Sequence, residues 1–228
     1  MNNNNTGIVN NKANEIKSNS EKNPYKDSPK KVLRLDASAN PGNSSSREIG
    51  DYLVRQLKQD HSLLELRQRD LNDGLPLIDS NWIAANFTAQ DSRTEDQASQ
   101  LAFSDELIDE LNWADHIVLT TPMYNFGVPA TLKTWIDLVC RAGVTFRYGE
   151  NGAEGLLRGK QADIVITTGG APLESPVDFT SGYLRQVFQF IGIQDISIIG
   201  ADQMNVDPES SFRKAISQID QVYPTIAA

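Results

Sequence analysis

The order of segments along this chain predicts an α/β domain built on an open parallel sheet with helices on both faces. Three observations carry the expectation. Five strand-like segments alternate with helix-period stretches, the 228 residues suit one domain with a substantial core, and Ser-, Gly- and Pro-containing loops follow several of the strands. Residues 32–38 (VLRLDAS) read as the first strand. Residues 46–59 follow as an amphipathic helix with Ile49, Leu53, Leu57 and the neighbouring Tyr52 on its apolar face. LLELRQRDL (63–71) is the second strand and DGLPLID a turn, and the polar stretch 80–100 reads as helical with long excursions. A helix over 100–115 leads to the third strand, HIVLTTP (116–122). The next helix starts at Pro129, where a missing N–H costs nothing, and buries Leu132, Trp135, Ile136 and Val139. After an irregular excursion over 144–159 come a fourth strand (162–170), a helix (181–192), a fifth strand (196–201) and a closing helix (207–223).

Five such units fit the doubly wound, flavodoxin-like strand order 2-1-3-4-5. In sheets of this kind ligands bind beyond the carboxyl ends of the strands, where the order reverses. The first 31 residues stand apart. They are rich in Asn, Ser and Lys, hold six lysines against three acids and show no apolar periodicity. Such a segment buries too little surface to offset its ordering entropy, so residues 1–30 are expected to be a disordered tail and 31–228 the folded domain.

Composition narrows the function. A net charge of −9 disfavours nucleic acid as a partner, since neutralising phosphates takes a basic face. No apolar run approaches the roughly 20 residues that span a bilayer. Cys140 is the single cysteine, so no intramolecular disulfide forms, and its apolar neighbours on a helix suit a small buried hydrophobe. His61 and His116 fall at strand starts, away from the strand-end site, so no catalytic side chain and no metal site are expected.

Three loops lie at the strand ends that the topology selects. The first, SANPGNSSSRE, runs from Ser38 into a helix that starts among Ser44, Ser45 and Ser46. Free amides and hydroxyls at a helix N-terminus suit a phosphate; capping by one serine, the others serving a solvated turn, explains them too. The loop is neither a Walker A motif nor G-x-G-x-x-G. The second places Met123, Tyr124, Asn125 and Phe126 just past a strand, where a thioether and two aromatic rings suit a flat heteroaromatic ring and Gly127 permits close backbone approach. A hydrophobic plug is the alternative. The third, Thr167-Thr168-Gly169-Gly170, offers backbone donors unobstructed by side chains, or simply a tight turn. Together the loops describe a phosphate joined to a flat polar ring, such as FMN.

PMYNFGVPATLKTWIDLVCRAGVTFRY, with NGAEGLL, resembles the long signature of the FMN-dependent NADH:quinone oxidoreductases and azoreductases of the flavodoxin-like superfamily. TTGG followed by SPVDFTSGYLRQVFQFIGI resembles that family's next block, and only the tail lies outside the likeness. The resemblance implies one non-covalent FMN per chain, with its phosphate on Ser38, Ser44, Ser45 and Ser46. It implies ring contacts from Met123, Tyr124, Asn125 and Phe126 and from Thr167, Thr168, Gly169 and Gly170. It further implies NADH or NADPH as donor, quinones or azo compounds as acceptors, a cytoplasmic setting and a homodimer with the flavin near its interface. A flavodoxin-type electron carrier, without turnover of its own, is the alternative on the same fold. The excursion 144–159 and the apolar helix after Pro129 favour the reductase, because they offer substrate walls and dimer surface.

Overall fold

The computed structural model describes residues 29–61 and 63–224. Nearly all of the expected tail therefore lies outside the described residues, although Lys30 already belongs to the first strand. The main sheet is parallel and has five strands: β1 (Lys30–Asp36), β2 (Leu64–Asp70), β3 (His116–Pro122), β6 (Gln161–Thr167) and β7 (Asp195–Ala201). Its order is β2-β1-β3-β6-β7. The parallel flavodoxin-like sheet is thus present, and the expected numbering 2-1-3-4-5 is corrected by a hairpin inside the excursion 144–159. Its strands, β4 (Phe146–Gly149) and β5 (Gly152–Gly155), pair antiparallel outside the main sheet. Gly152 takes the positive φ that this tight reversal needs. Gly155 lies so close to the end of the following helix that a Cβ there would stand 2.1 Å from the Gly192 nitrogen.

Among the described residues six α-helices flank the sheet: α1 (Ser45–Asp60), α2 (Ser80–Phe87), α3 (Glu95–Trp113), α4 (Ala130–Val139), α5 (Ser181–Ile191) and α6 (Pro208–Val222). Alternation along β1 sets the two faces. Leu33, Leu35 and Ala37 join Leu119 and Ile164 beneath α3, α4 and α5, whereas Val32 meets Val118 and Val165 beneath α1 and α6. The buried stripe of α4 is the expected one, Leu132, Trp135, Ile136 and Val139 included. Pro129 itself is the N-cap, one residue ahead of the helix.

Two helices divide the stretch read as one with excursions. Asp79 caps α2 by accepting from the Trp82 amide at 2.8 Å. Thr94 and Gln97 close a reciprocal capping box at the start of α3, five residues ahead of the expected start. No described helix is long and apolar enough to cross a membrane.

Candidate functional site

Beyond the sheet's carboxyl edge the backbone ladder continues for one or two residues, which sets three loops side by side. The Ala37 amide donates to the Thr120 carbonyl at 2.9 Å, Met123 to Thr167 at 2.7 Å, and Thr168 to Ala201 at 3.1 Å. The loops after β1, β3 and β6 therefore start from adjacent strands, with the reversal of order between β1 and β3. The structure brings together the residues that the sequence singled out.

In the first loop Ser44 is the N-cap of α1; its hydroxyl takes the Arg47 amide at 3.4 Å and its carbonyl the Glu48 amide at 3.0 Å. The amides of Ser45 and Ser46, whose carbonyl partners one turn back fall outside the helix, are left at its positive end. Ser46 is buried, with its hydroxyl 3.1 Å from that of Ser44. Ser38 is buried too, and its hydroxyl takes the Asn40 amide at 3.3 Å while keeping its own proton to donate. Gly42 is exposed.

The second loop is a two-residue reversal. Tyr124 and Gly127 exchange backbone hydrogen bonds of 2.9 and 3.0 Å around Asn125 and Phe126, which adopt φ of 50° and 70°. The left-handed backbone, which glycine adopts most readily, falls here on Asn125 and Phe126, while a Cβ on Gly127 would meet open space. Tyr124 and Phe126 are 41% and 54% exposed, so their rings are not a plug over the strand ends. Met123 is half-buried.

The third loop splits its two glycines by role. A Cβ on Gly169 would stand 2.7 Å from the Asn205 side-chain nitrogen, so a larger residue there has to displace the end of that side chain. Gly170 faces open space. Thr167 and Thr168 are buried, and the Thr168 hydroxyl is committed to the Ala171 carbonyl and the Gln203 amide. The loop after β7, which sequence reasoning passed over, braces this one through Met204 to Thr168 at 2.9 Å and Asn205 to Gly169 at 2.8 Å. Nothing in its composition signals that task.

Other candidates stand apart. His116 is buried at the opposite end of the sheet, its Nε2 2.9 Å from Asp163, and His61 is the C-cap of α1 rather than a strand start. Burial, reinforced by the Asp137 carboxylate, pushes the Cys140 thiol up to about 12, which makes it a poor nucleophile. A cavity of about 760 Å³ also opens at the opposite end, among Lys30, Asp115, Glu154, Lys160 and Asp195. Its Lys160 ammonium is already spent on the carbonyls of Asn112 and Ala114 at the C-terminus of α3. Among the described residues no cluster of three His, Cys, Asp or Glu could hold a metal.

Comparison with known proteins agrees with this geometry. The sequence profile of a family described as having a flavodoxin-like fold matches residues 30–222. FMN-dependent NADH:quinone oxidoreductase 1 of Hahella chejuensis is 48% identical over 87% of this chain and 97% of its own length. Its namesake from Colwellia psychrerythraea is 48% identical over 84% of this chain and 99% of its own. Among solved structures, the azoreductase of Bacillus anthracis superposes with a TM-score of 0.78 at 26% identity, covering 86% of this chain and all of its own.

Proposed function

Because the chain belongs to the flavodoxin-like-fold family and, within it, to the FMN-dependent NADH:quinone oxidoreductases, we propose that the three adjoining loops are its FMN site. The activity is FMN-dependent oxidation of NADH with reduction of quinones and azo compounds. One observation carries the assignment of the site: a serine-lined helix N-terminus, a reversed turn bearing exposed rings and an open glycine meet at one switch point.

The residues present suit the cofactor. Ser38, Ser44, Ser45 and Ser46 supply hydroxyls and amides to a phosphate without adding full charges. Met123, Tyr124, Asn125 and Phe126 border the ring, and the open space at Gly127 and Gly170 lets the backbone come close to it, the Gly127 amide itself being spent on the Tyr124 carbonyl. Thr167, Thr168 and Gly169 hold the third loop against its neighbours, so that Gly170 presents its amide from a fixed frame. FMN held by these residues would supply the two-electron redox chemistry between NADH and the acceptor. The chain binds the cofactor, orients it and keeps one face open for the two substrates in turn. NADPH as donor, a cytoplasmic setting and a homodimer follow from the resemblance. The exposed Val144, Tyr148 and Phe87 are apolar surface that a partner subunit would cover.

The test is direct. The purified chain is expected to be yellow, to release FMN in a 1:1 ratio to protein on heating, and to oxidise NADH rapidly only when a quinone is added. Released FAD, or no colour after reconstitution with FMN, would overturn the assignment. Light scattering giving the mass of one chain, with activity intact, would overturn the dimer.

A further inference from the structure

Directly beneath the first loop lies a set of buried charges that the site as described does not use. Asp36, the last residue of β1, is fully buried, and both of its oxygens are engaged. Oδ1 accepts from Arg34 Nε at 3.0 Å and from the Thr120 hydroxyl at 2.6 Å, and Oδ2 accepts from Gln68 Nε2 at 2.6 Å. Arg34, itself buried, then pairs with Asp51 and donates to the Arg47 carbonyl in the first turn of α1 at 3.0 Å. Arg47 completes the circuit. Its guanidinium donates to the Ser38 carbonyl at 2.8 Å, pairs with Asp70 at 2.7 Å and stands 4.0 Å from Asp36. Asn72 gives the Ser38 carbonyl a second donor at 2.8 Å and also binds Asp70.

The two ends of the first loop, Ser38 and Arg47, are therefore tied to one cluster fed by β1, β2, β3 and α1. A carbonyl facing a phosphate repels it. Two donors hold the Ser38 carbonyl down, one of them the Arg47 Nη2, which is shared between this carbonyl and Asp70. From this we propose that Arg47 is a positioning residue for phosphate recognition, with Asn72 as its assistant. It fixes Ser38 so that the loop presents donors, not a carbonyl, to the phosphate. The inference rests on the FMN site proposed above and adds which residue sets its selectivity for a phosphorylated flavin.

Riboflavin, which lacks the phosphate, supplies the discriminating probe. FMN and riboflavin dissociation constants are measured by fluorescence quenching on the apoprotein of the wild type, Arg47→Ala, Arg47→Lys and Asn72→Ala. Arg69→Ala serves as the control, because Arg69 pairs with Glu106 and Glu110 of α3, on the opposite face of the sheet. Both Arg47 variants are expected to lose roughly tenfold in preference for FMN over riboflavin, the scale of one charge-assisted hydrogen bond, with riboflavin affinity held. Lysine carries the charge on a side chain one atom shorter, so its ammonium falls short of the place where Arg47 Nη2 meets the Ser38 carbonyl; full rescue by Arg47→Lys would overturn positioning in favour of plain attraction. Equal losses for both flavins would overturn it in favour of a general structural role, and unchanged affinities would overturn it outright. Asn72 is exposed, so Asn72→Ala keeps the fold and carries the test if Arg47→Ala does not fold; a smaller loss confined to FMN is expected. The control is expected to keep the wild-type preference, and losing it equally would overturn the assignment to Arg47. A wild-type protein that binds no FMN overturns the functional reading together with this inference. FMN binding that is indifferent to Arg47 and Asn72 overturns the inference alone.

Discussion

Phe126 joins backbone conformation to function, and two substitutions separate its roles. Its φ of 70° places a Cβ in the left-handed region, at a cost of roughly 1–2 kcal/mol. The ring is 54% exposed, so packing within the chain offsets little of that cost. Phe126→Gly removes both ring and strain, whereas Phe126→Ala removes the ring and keeps the strain. Glycine also enlarges the unfolded ensemble, by about 0.4–1 kcal/mol relative to alanine. At mid-range the difference leaves the Gly variant more stable than the Ala variant by about 0.8 kcal/mol, or roughly 2–3 °C in Tm for a domain of this size. Calorimetry on the two apoproteins measures it. Both variants are expected to bind FMN roughly two- to tenfold more weakly, the worth of one aromatic contact. Equal melting temperatures would mean that the turn does not sit in the left-handed region. A melting difference with undiminished FMN affinity would mean that the strained turn is not a flavin contact.

Replacing Ser46 with Ala removes the hydroxyl beside that of Ser44 and is expected to weaken FMN by about 0.5–2 kcal/mol, read by fluorescence titration; wild-type affinity would refute it. The site proposed above has a single face over FMN for both substrates, so initial rates against NADH at several quinone concentrations are expected to give parallel lines, and intersecting lines would require a ternary complex. Asp178, in the connection from β6 to α5, supplies a pH-dependent prediction. Burial raises its pKa, but bonds from Ser181 and from the Glu174 and Thr180 amides outweigh that and hold it below the ordinary carboxylate value. A carboxyl depressed in the fold stabilises above its unfolded pKa of about 4 and stops doing so as pH falls through the folded value. The Tm gap between wild type and Asp178→Asn is therefore expected to be open at pH 7 and to narrow below about pH 4, and a gap constant across that range would refute the clasp.

Much of the architecture was legible because strand and helix periods differ and the sheet is buried on both faces. The central strands β3 and β6 read as near-continuous apolar runs, and the stripe of α4 named four of its buried side chains, Leu138 being the one it left out. Two misses had signals that went unused. TEDQ at 94–97 is a capping box, which marks the true start of α3, and the ENG of 150–152 marks the β4–β5 reversal. The site was legible to the extent that topology selects loops. Which of the two glycines is crowded and which is open was not. Gly169 and Gly170 are neighbours of one type, and only the approach of Asn205, 36 positions away, tells them apart.

The charge cluster under the first loop shows why the rest was hidden. Arg34 and Asp36 alternate with Leu33 and Leu35, the pattern of a strand with one wet face. Their burial depends on Asp51 and Arg47 from α1, Gln68 from β2 and Thr120 from β3, none of them foreseeable from local pattern. Such a cluster is a weak source of stability, because desolvating the charges consumes most of what their attraction returns, and apolar side chains of similar volume often serve a core as well. What apolar packing does not provide is direction. A leucine at position 47 would fill space but hold no carbonyl, and Ser38 would be free to turn its oxygen toward the phosphate. The charged arrangement is better understood as fixing an orientation than as strengthening a core, so its removal is expected to register first in flavin selectivity and only second in melting temperature.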